Sequence, residues 1–159
     1  MCLYIDWARH HMCRANMKNF IKQPKTLRED MVVYKLLIKS DNKLITPFQN
    51  MVVATGKEWG KVNFPKFSKN QFVVRGSTKT DKGYHAYVSQ YSIYLREMAL
   101  GLSEYNDVYL CKCIIPKGSY VYYGVYDDIC SNSLVIKEED VELFHKGRKK
   151  IIVNRDIIF

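Results

Sequence analysis

The sequence predicts an α+β domain with a mixed, mostly antiparallel sheet and one or two helices. Three observations predict it. Runs rich in β-branched and aromatic residues recur over 31–39, 107–115, 120–126 and 129–136, with turn residues such as Ser40-Asp41-Asn42, Pro116-Lys117-Gly118-Ser119 and Asp127-Asp128 between them, the pattern of strands between turns. One stretch, 88–102, repeats its apolar residues at three and four instead, the period of a helix with one buried face. The 159 residues suit one domain with a sizeable core, and no repeat or low-complexity tract divides them. Residues 1–30 read as an N-terminal helical segment and 31–159 as a single α+β domain.

Taken in order, Leu3, Trp7, Met17, Phe20 and Ile21 mix with Arg9, Arg14 and Lys18, with no Gly or Pro until Pro24, which predicts a helix over 3–21. His10, His11 and Cys13 lie in it. Adjacent helical residues diverge by ~100°, so the two histidines do not grip one ion, and His10 with Cys13 supplies at most half a site. Residues 23–30 form a polar connector. The run Met31-Val32-Val33-Tyr34-Lys35-Leu36-Leu37-Ile38-Lys39 is continuous enough for a central strand. Turn residues 40–43 follow, then a strand at 44–46 cut by Pro47 and another at 51–54.

The segment 58–82 is irregular, with Gly60, Pro65 and Gly76 and only 71–75 reading as a strand. Its lysines and arginines alternate with Trp59, Phe64, Phe67 and Phe72. That mixture makes either a stacking platform for nucleotides or a surface loop pinned by its rings. A strand at 84–88 leads to Ser89, a helix cap, and to a stripe of Tyr91, Leu95, Met98, Ala99 and Leu102 stopped by Gly101. Cys111 and Cys113 share one face of the 107–115 strand, as small buried residues do. The turn 116–119, an aromatic strand at 120–126, a strand at 129–136, an acidic surface segment at 137–142 and strands at 151–153 and 157–159 complete the chain.

Net charge is +9, from 25 Lys+Arg against 16 Asp+Glu, and it concentrates in 18–28 and 57–82. The balance favours anionic partners: nucleotide phosphates, nucleic acid or an acidic protein surface. Five unevenly spaced cysteines fit a reducing compartment better than a stapled scaffold. The N-terminus has no positive region followed by an apolar run, and no stretch approaches a bilayer span. The expectation is a cytoplasmic protein without a membrane partner. The P-loop, the Rossmann glycine fingerprint, zinc C-x-x-C pairs, H-E-x-x-H, G-x-S-x-G and paired H-x-T/S motifs are absent.

The candidate site is Lys82-Gly83-Tyr84-His85-Ala86-Tyr87, a strand that delivers His85 to a helix start. His85 is either a core histidine bonded to a carbonyl or a ligand to a ribose hydroxyl or phosphate. Arg75, Lys79 and Lys82, just upstream, are candidate phosphate ligands. Asp127 and Asp128 are either turn residues or catalytic carboxylates.

Val32-Val33-Tyr34-Lys35, then Gly83-Tyr84-His85-Ala86-Tyr87 before a helix with Ser92 and Tyr94, then Tyr109-Leu110-Cys111-Lys112-Cys113 resembles the element order of ADP-ribosyltransferase-like domains, over about 31–136. The resemblance implies that shape and NAD as cofactor. It implies that His85 and Tyr34 position the nicotinamide ribose, Tyr94 stacks on nicotinamide, and Asp128 polarises the ribose hydroxyl. Tyr84 and Ser133 complete the candidate ligand set. Two departures stand out: Tyr34-Lys35 where active transferases carry His-Gly or Arg, and Asp where they carry Glu. A misplacement of ~1 Å costs on the order of 100-fold in rate, so the same residues also suit an inactive binder of nucleic acid or of a nucleotide signal. The layout V-Y-K, G-[FY]-H-[AS], C-x-I-P-K-G-S-x-Y, S-N-x-L is similar to small phage and gut-bacterial proteins, which adds a third reading, action on a host protein.

Overall fold

The computed structural model describes residues 3–6, 9, 24–40, 43–47, 52–55, 61–63, 72, 74–75, 79–80 and 82–147; within these, the side chains of 40, 52–55, 61–63, 74, 75, 79, 93, 94 and 138 fall outside the description. In chain order the elements are β1 (Leu3–Tyr4), β2 (Lys25–Thr26), β3 (Met31–Ser40), β4 (Lys43–Ile45), β5 (Val52–Thr55), β6 (Lys61–Asn63), β7 (Val74–Arg75), β8 (Lys79–Thr80), β9 (Tyr84–Tyr87), α1 (Ile93–Leu102), β10 (Val108–Ile115), β11 (Tyr120–Tyr123), β12 (Asp128–Ser131) and β13 (Val135–His145).

The main sheet runs β2-β11-β12-β9-β3-β10-β13-β6, with β4 and β5 as an arm off β3, and β1-β8-β7 form a separate small sheet. Every described pairing is antiparallel. The centre is where the two β-branched runs lie side by side, from Val108↔Ile38 to Ile115↔Met31. Alternation then sorts their side chains to two faces. One face buries Val33, Leu37, Cys111, Cys113, Val121, Ile129, Leu134 and Ile136. The other buries Leu36, Ile38, Val108 and Leu110 beneath Leu95 and Ala99 of α1. Each large aliphatic fully buried this way stabilises the fold by roughly 1.5–3 kcal/mol. Among the described residues, no helix is long and apolar enough to cross a membrane.

Lys35 is the exception on the first face. It pairs across from Cys111, and its Nζ donates to the His85 carbonyl at 2.6 Å. Strands β3 and β9 meet only at Tyr34↔Tyr87, so the amine satisfies a carbonyl where the two strands part. Burial lowers the Lys35 pKa, opposed by the neighbouring sulfurs of Cys113, Cys130 and Cys111.

Several elements differ from the sequence expectation: the strand predicted over 129–136 is two, β12 and β13, and β2, β6 and β8 lie where a polar connector and an irregular segment were expected. Leu3 and Ile5 alternate into a cluster with Tyr122 and Cys130 while Tyr4 is exposed; this is a period of two, so the predicted 3–21 helix gives way to a strand at Leu3–Tyr4. Residues 10–23, with His10, His11 and Cys13, lie outside the described residues, as do the strands predicted at 151–153 and 157–159. The helix begins at Ser92 rather than Ser89, because the Ser89 Oγ accepts the Tyr91 N–H at 3.1 Å and closes a turn of its own. Gly101 falls inside α1 instead of stopping it. Finally, 137–142 belongs to β13. Pairing jumps from Cys111↔Val141 to Cys113↔Ile136, so the residues between bulge out of the β10 ladder without leaving the strand, and Glu139 among them is exposed.

Candidate functional site

His85 occupies β9 directly across from Cys130, and Tyr87 lies across from Asp128. Tyr87 also faces Tyr34 of β3. Opposed residues of an antiparallel pair share a face, and so do residues two apart. Tyr34, Tyr87 and Asp128 therefore form one row, with His85 and Cys130 beside it on the same face. Tyr84 and Ser131 are one step out of phase with these residues, and Tyr84 packs against the opposite core.

Two glycines allow this row to close up. Gly83 has φ +130°, and a Cβ there would run into the Cys130 sulfur and the Phe72 ring. The Cys130 Sγ lies 3.3 Å from the Lys82 carbonyl and 3.9 Å from His85 Nε2. Burial pushes the Cys130 thiol well above its usual range, with Lys35 pulling the other way. A Cys–His nucleophile needs a thiolate in a partly exposed, electropositive setting; this sulfur is fully buried and stays protonated. At Gly124, a Cβ would collide with the Asp128 carboxylate and the Leu3 side chain.

Asp128 is 5% exposed, and its Oδ1 accepts the Tyr126 N–H at 3.2 Å. Its backbone carbonyl accepts the Gly124 N–H at 2.8 Å, so both ends of the residue hold the turn between β11 and β12. Burial raises the Asp128 pKa, opposed by its own N–H and that of Tyr126. Burial, with the Asp128 charge adding to it, pushes Tyr87 up to about 12.

The remaining sequence candidates scatter. Lys82 is exposed, with its carbonyl accepting from Thr80 Oγ1 as well as Cys130. Ser133 is buried in the turn after β12, its N–H and carbonyl both bonded to Ser131 Oγ. The side chains of Arg75, Lys79 and Tyr94 lie outside the described residues, as does most of the basic aromatic segment 58–82. Tyr34 lines a small cavity of about 230 Å³ with Gln90, Leu110, Lys112, Asp140 and Glu142. Among the described residues no group of three His, Cys, Asp or Glu is placed to hold a metal.

A larger cleft, about 590 Å³, is lined by Lys25, Thr26, Leu27, Arg28, Glu29, Asp30, Met31 and Tyr123, from β2, the segment after it, the start of β3 and the end of β11. Its construction follows from register. Lys25 lies across from Val121, so Tyr123, two residues on, is its diagonal neighbour on the same face. The Lys25 Nζ sits 5.8 Å from the Tyr123 ring centroid. Asp6 N–H donates to the Tyr123 carbonyl at 2.7 Å, and Arg9 N–H to the Asp6 carbonyl, which brings the Arg9 guanidinium to 5.0 Å from the same ring. The cleft wall is zipped to the 116–119 turn. Leu27 N–H donates to Ser119 O, Gly118 N–H to Leu27 O, and Lys117 N–H to Asp30 Oδ1 at 2.7 Å.

This cleft is absent from the sequence-based site. The basic stretch 18–28 and the aromatic strand 120–126 were both legible, but only the β2–β11 pairing joins residues nearly a hundred positions apart. Comparison with family models, curated proteins and solved structures found no match to this chain.

Proposed function

We propose that the protein binds the phosphate of a nucleotide or nucleic acid in the Tyr123 cleft and does not turn it over. The observation that carries this is two cations, Arg9 and Lys25, drawn to one tyrosine ring, with Arg28 on the same cleft wall. Each cation–π contact contributes roughly 0.5–1 kcal/mol at an exposed site, which fixes long side chains that are otherwise free. Lys25 and Arg28 both line the cleft, and a bound anion would give each a charge-assisted hydrogen bond. The +9 net charge adds long-range attraction for the same ligand class.

The test is equilibrium titration with inorganic pyrophosphate and nucleoside monophosphates at two salt concentrations. Binding that weakens with salt, and falls about tenfold or more in Lys25→Ala and Arg28→Ala, supports the reading. Binding unaffected by either substitution overturns it.

A second reading keeps the ADP-ribosyltransferase-like shape with NAD as substrate. It draws on Tyr34, His85 and Asp128 sharing one sheet face. The burial of Asp128 in its turn counts against it, because that carboxylate is spent on backbone N–H groups. NAD hydrolysis or auto-modification that disappears in Asp128→Asn would favour this reading over the binder.

A further inference from the structure

Resting on the phosphate-binding reading, we infer that the cleft's ligand is a single ribonucleoside phosphate, held by its phosphate on the cations and by its ribose hydroxyls on Glu29 and Asp30. The wall of the cleft is not uniformly basic. Lys25 and Arg28 are followed directly by Glu29 and Asp30, and all four line it. A carboxylate only accepts hydrogen bonds. A phosphate-only ligand offers only the P–O–H it retains at neutral pH, on the same group that carries its negative charge, so a carboxylate that accepts from it still faces that charge. A nucleic-acid strand is worse, since its successive phosphates pass the same wall.

A ribose has two neighbouring O–H donors, within a few ångströms of its 5′-phosphate, and matches a wall that changes sign over a few residues. Glu29 and Asp30 are both exposed, unlike the buried Asp128, and the Lys117 N–H donating to Asp30 Oδ1 at 2.7 Å orients that carboxylate. The volume of about 590 Å³ falls within the roughly 300–1,000 Å³ of small-molecule sites, which is room for one nucleotide rather than a track for many.

The experiment is calorimetric titration of the full chain with each common ribonucleoside 5′-monophosphate, its 2′-deoxy counterpart, inorganic pyrophosphate and a single-stranded RNA octamer. The expected result is at least one ribonucleotide bound about tenfold more tightly than its 2′-deoxy counterpart, the size of a lost charge-assisted hydrogen bond. Glu29→Gln is expected to remove most of that preference while leaving pyrophosphate affinity equal or higher; Asp30→Asn is the second variant, with circular dichroism confirming that its wall still folds. Equal affinity for ribo and deoxy forms, with Glu29→Gln improving every ligand alike, overturns the inference and leaves a plain anion site. Preference for the RNA octamer per nucleotide also overturns it, in favour of a nucleic-acid surface. No binding by pyrophosphate or any nucleotide refutes the phosphate-binding reading itself.

Discussion

Replacing Gly83 by alanine tests how the His85 strand is packed. At φ +130° an L-residue is strained by about 1–3 kcal/mol. The new Cβ also runs into the Cys130 sulfur and comes to 3.2 Å from both the Phe72 ring and the Ser131 carbonyl, overpacking that costs about 1–3 kcal/mol. Gly83→Ala should therefore destabilise by about 2–6 kcal/mol, a large share of a typical 5–15 kcal/mol domain stability. Cys130→Ala alone removes one buried sulfur and should cost about 1 kcal/mol. In the double variant the sulfur clash is gone and the backbone strain remains, so the two effects should be non-additive by about 1–3 kcal/mol. Urea denaturation reads this as midpoints at constant m-value. Additivity to within ~0.5 kcal/mol, or a Gly83→Ala cost below that, would refute the packing described for Gly83 and Cys130.

Other outcomes follow from single residues. Ser92 occupies a helix N-cap but makes no side-chain cap bond, and its buried Oγ has no hydrogen-bond partner among the described residues; Ser92→Ala should be neutral or stabilise by up to about 1 kcal/mol by thermal melting, where a working cap would cost ~1 kcal/mol. Asp128 has a raised folded pKa, so its neutral form favours folding below the unfolded value of 3.8 and that contribution is lost as pH rises through the folded pKa. The melting temperature of Asp128→Asn relative to wild type should accordingly rise as pH increases from below 3.8 toward neutrality, and a pH-independent difference would contradict the burial described. The thiols of Cys111, Cys113 and Cys130 are buried, and burial pushes Cys130 up. Peptide mapping after native maleimide treatment should find all three unmodified, with rapid labelling only in denaturant.

Much of the sheet was legible because it rests on local composition. The 31–39 and 107–115 runs, the aromatic strand and the short His85 strand all appear as β-structure, since β-branched and aromatic residues pack on a pleated surface wherever it lies. The N-terminus misled because Leu3 and Trp7 fit a helical spacing as well as Leu3 and Ile5 fit a strand, and only the partner strand decides between them. Ser89 and Ser92 are both plausible caps in sequence; which one turns first depends on hydrogen bonds that composition does not encode. Around the site, the sequence places His85 on a strand, and the pairing of that strand puts Tyr87, Tyr34 and Asp128 on its face. The role of Asp128 in its turn, and the sulfur of Cys130 beneath Gly83, come from contacts between strands. The Tyr123 cleft is the extreme case: Arg9, Lys25 and Tyr123 have unremarkable local contexts, and their meeting is a property of register alone.

The most direct test of the phosphate-cleft account is a backbone-amide NMR titration with inorganic pyrophosphate and then with a ribonucleoside 5′-monophosphate. The account predicts concentration-dependent shifts confined to residues 25–31, Arg9 and 121–124, with the β9 amides of Tyr84, His85 and Tyr87 unmoved. Shifts centred on β9 and the start of α1, with the Tyr123 cleft silent, would contradict it.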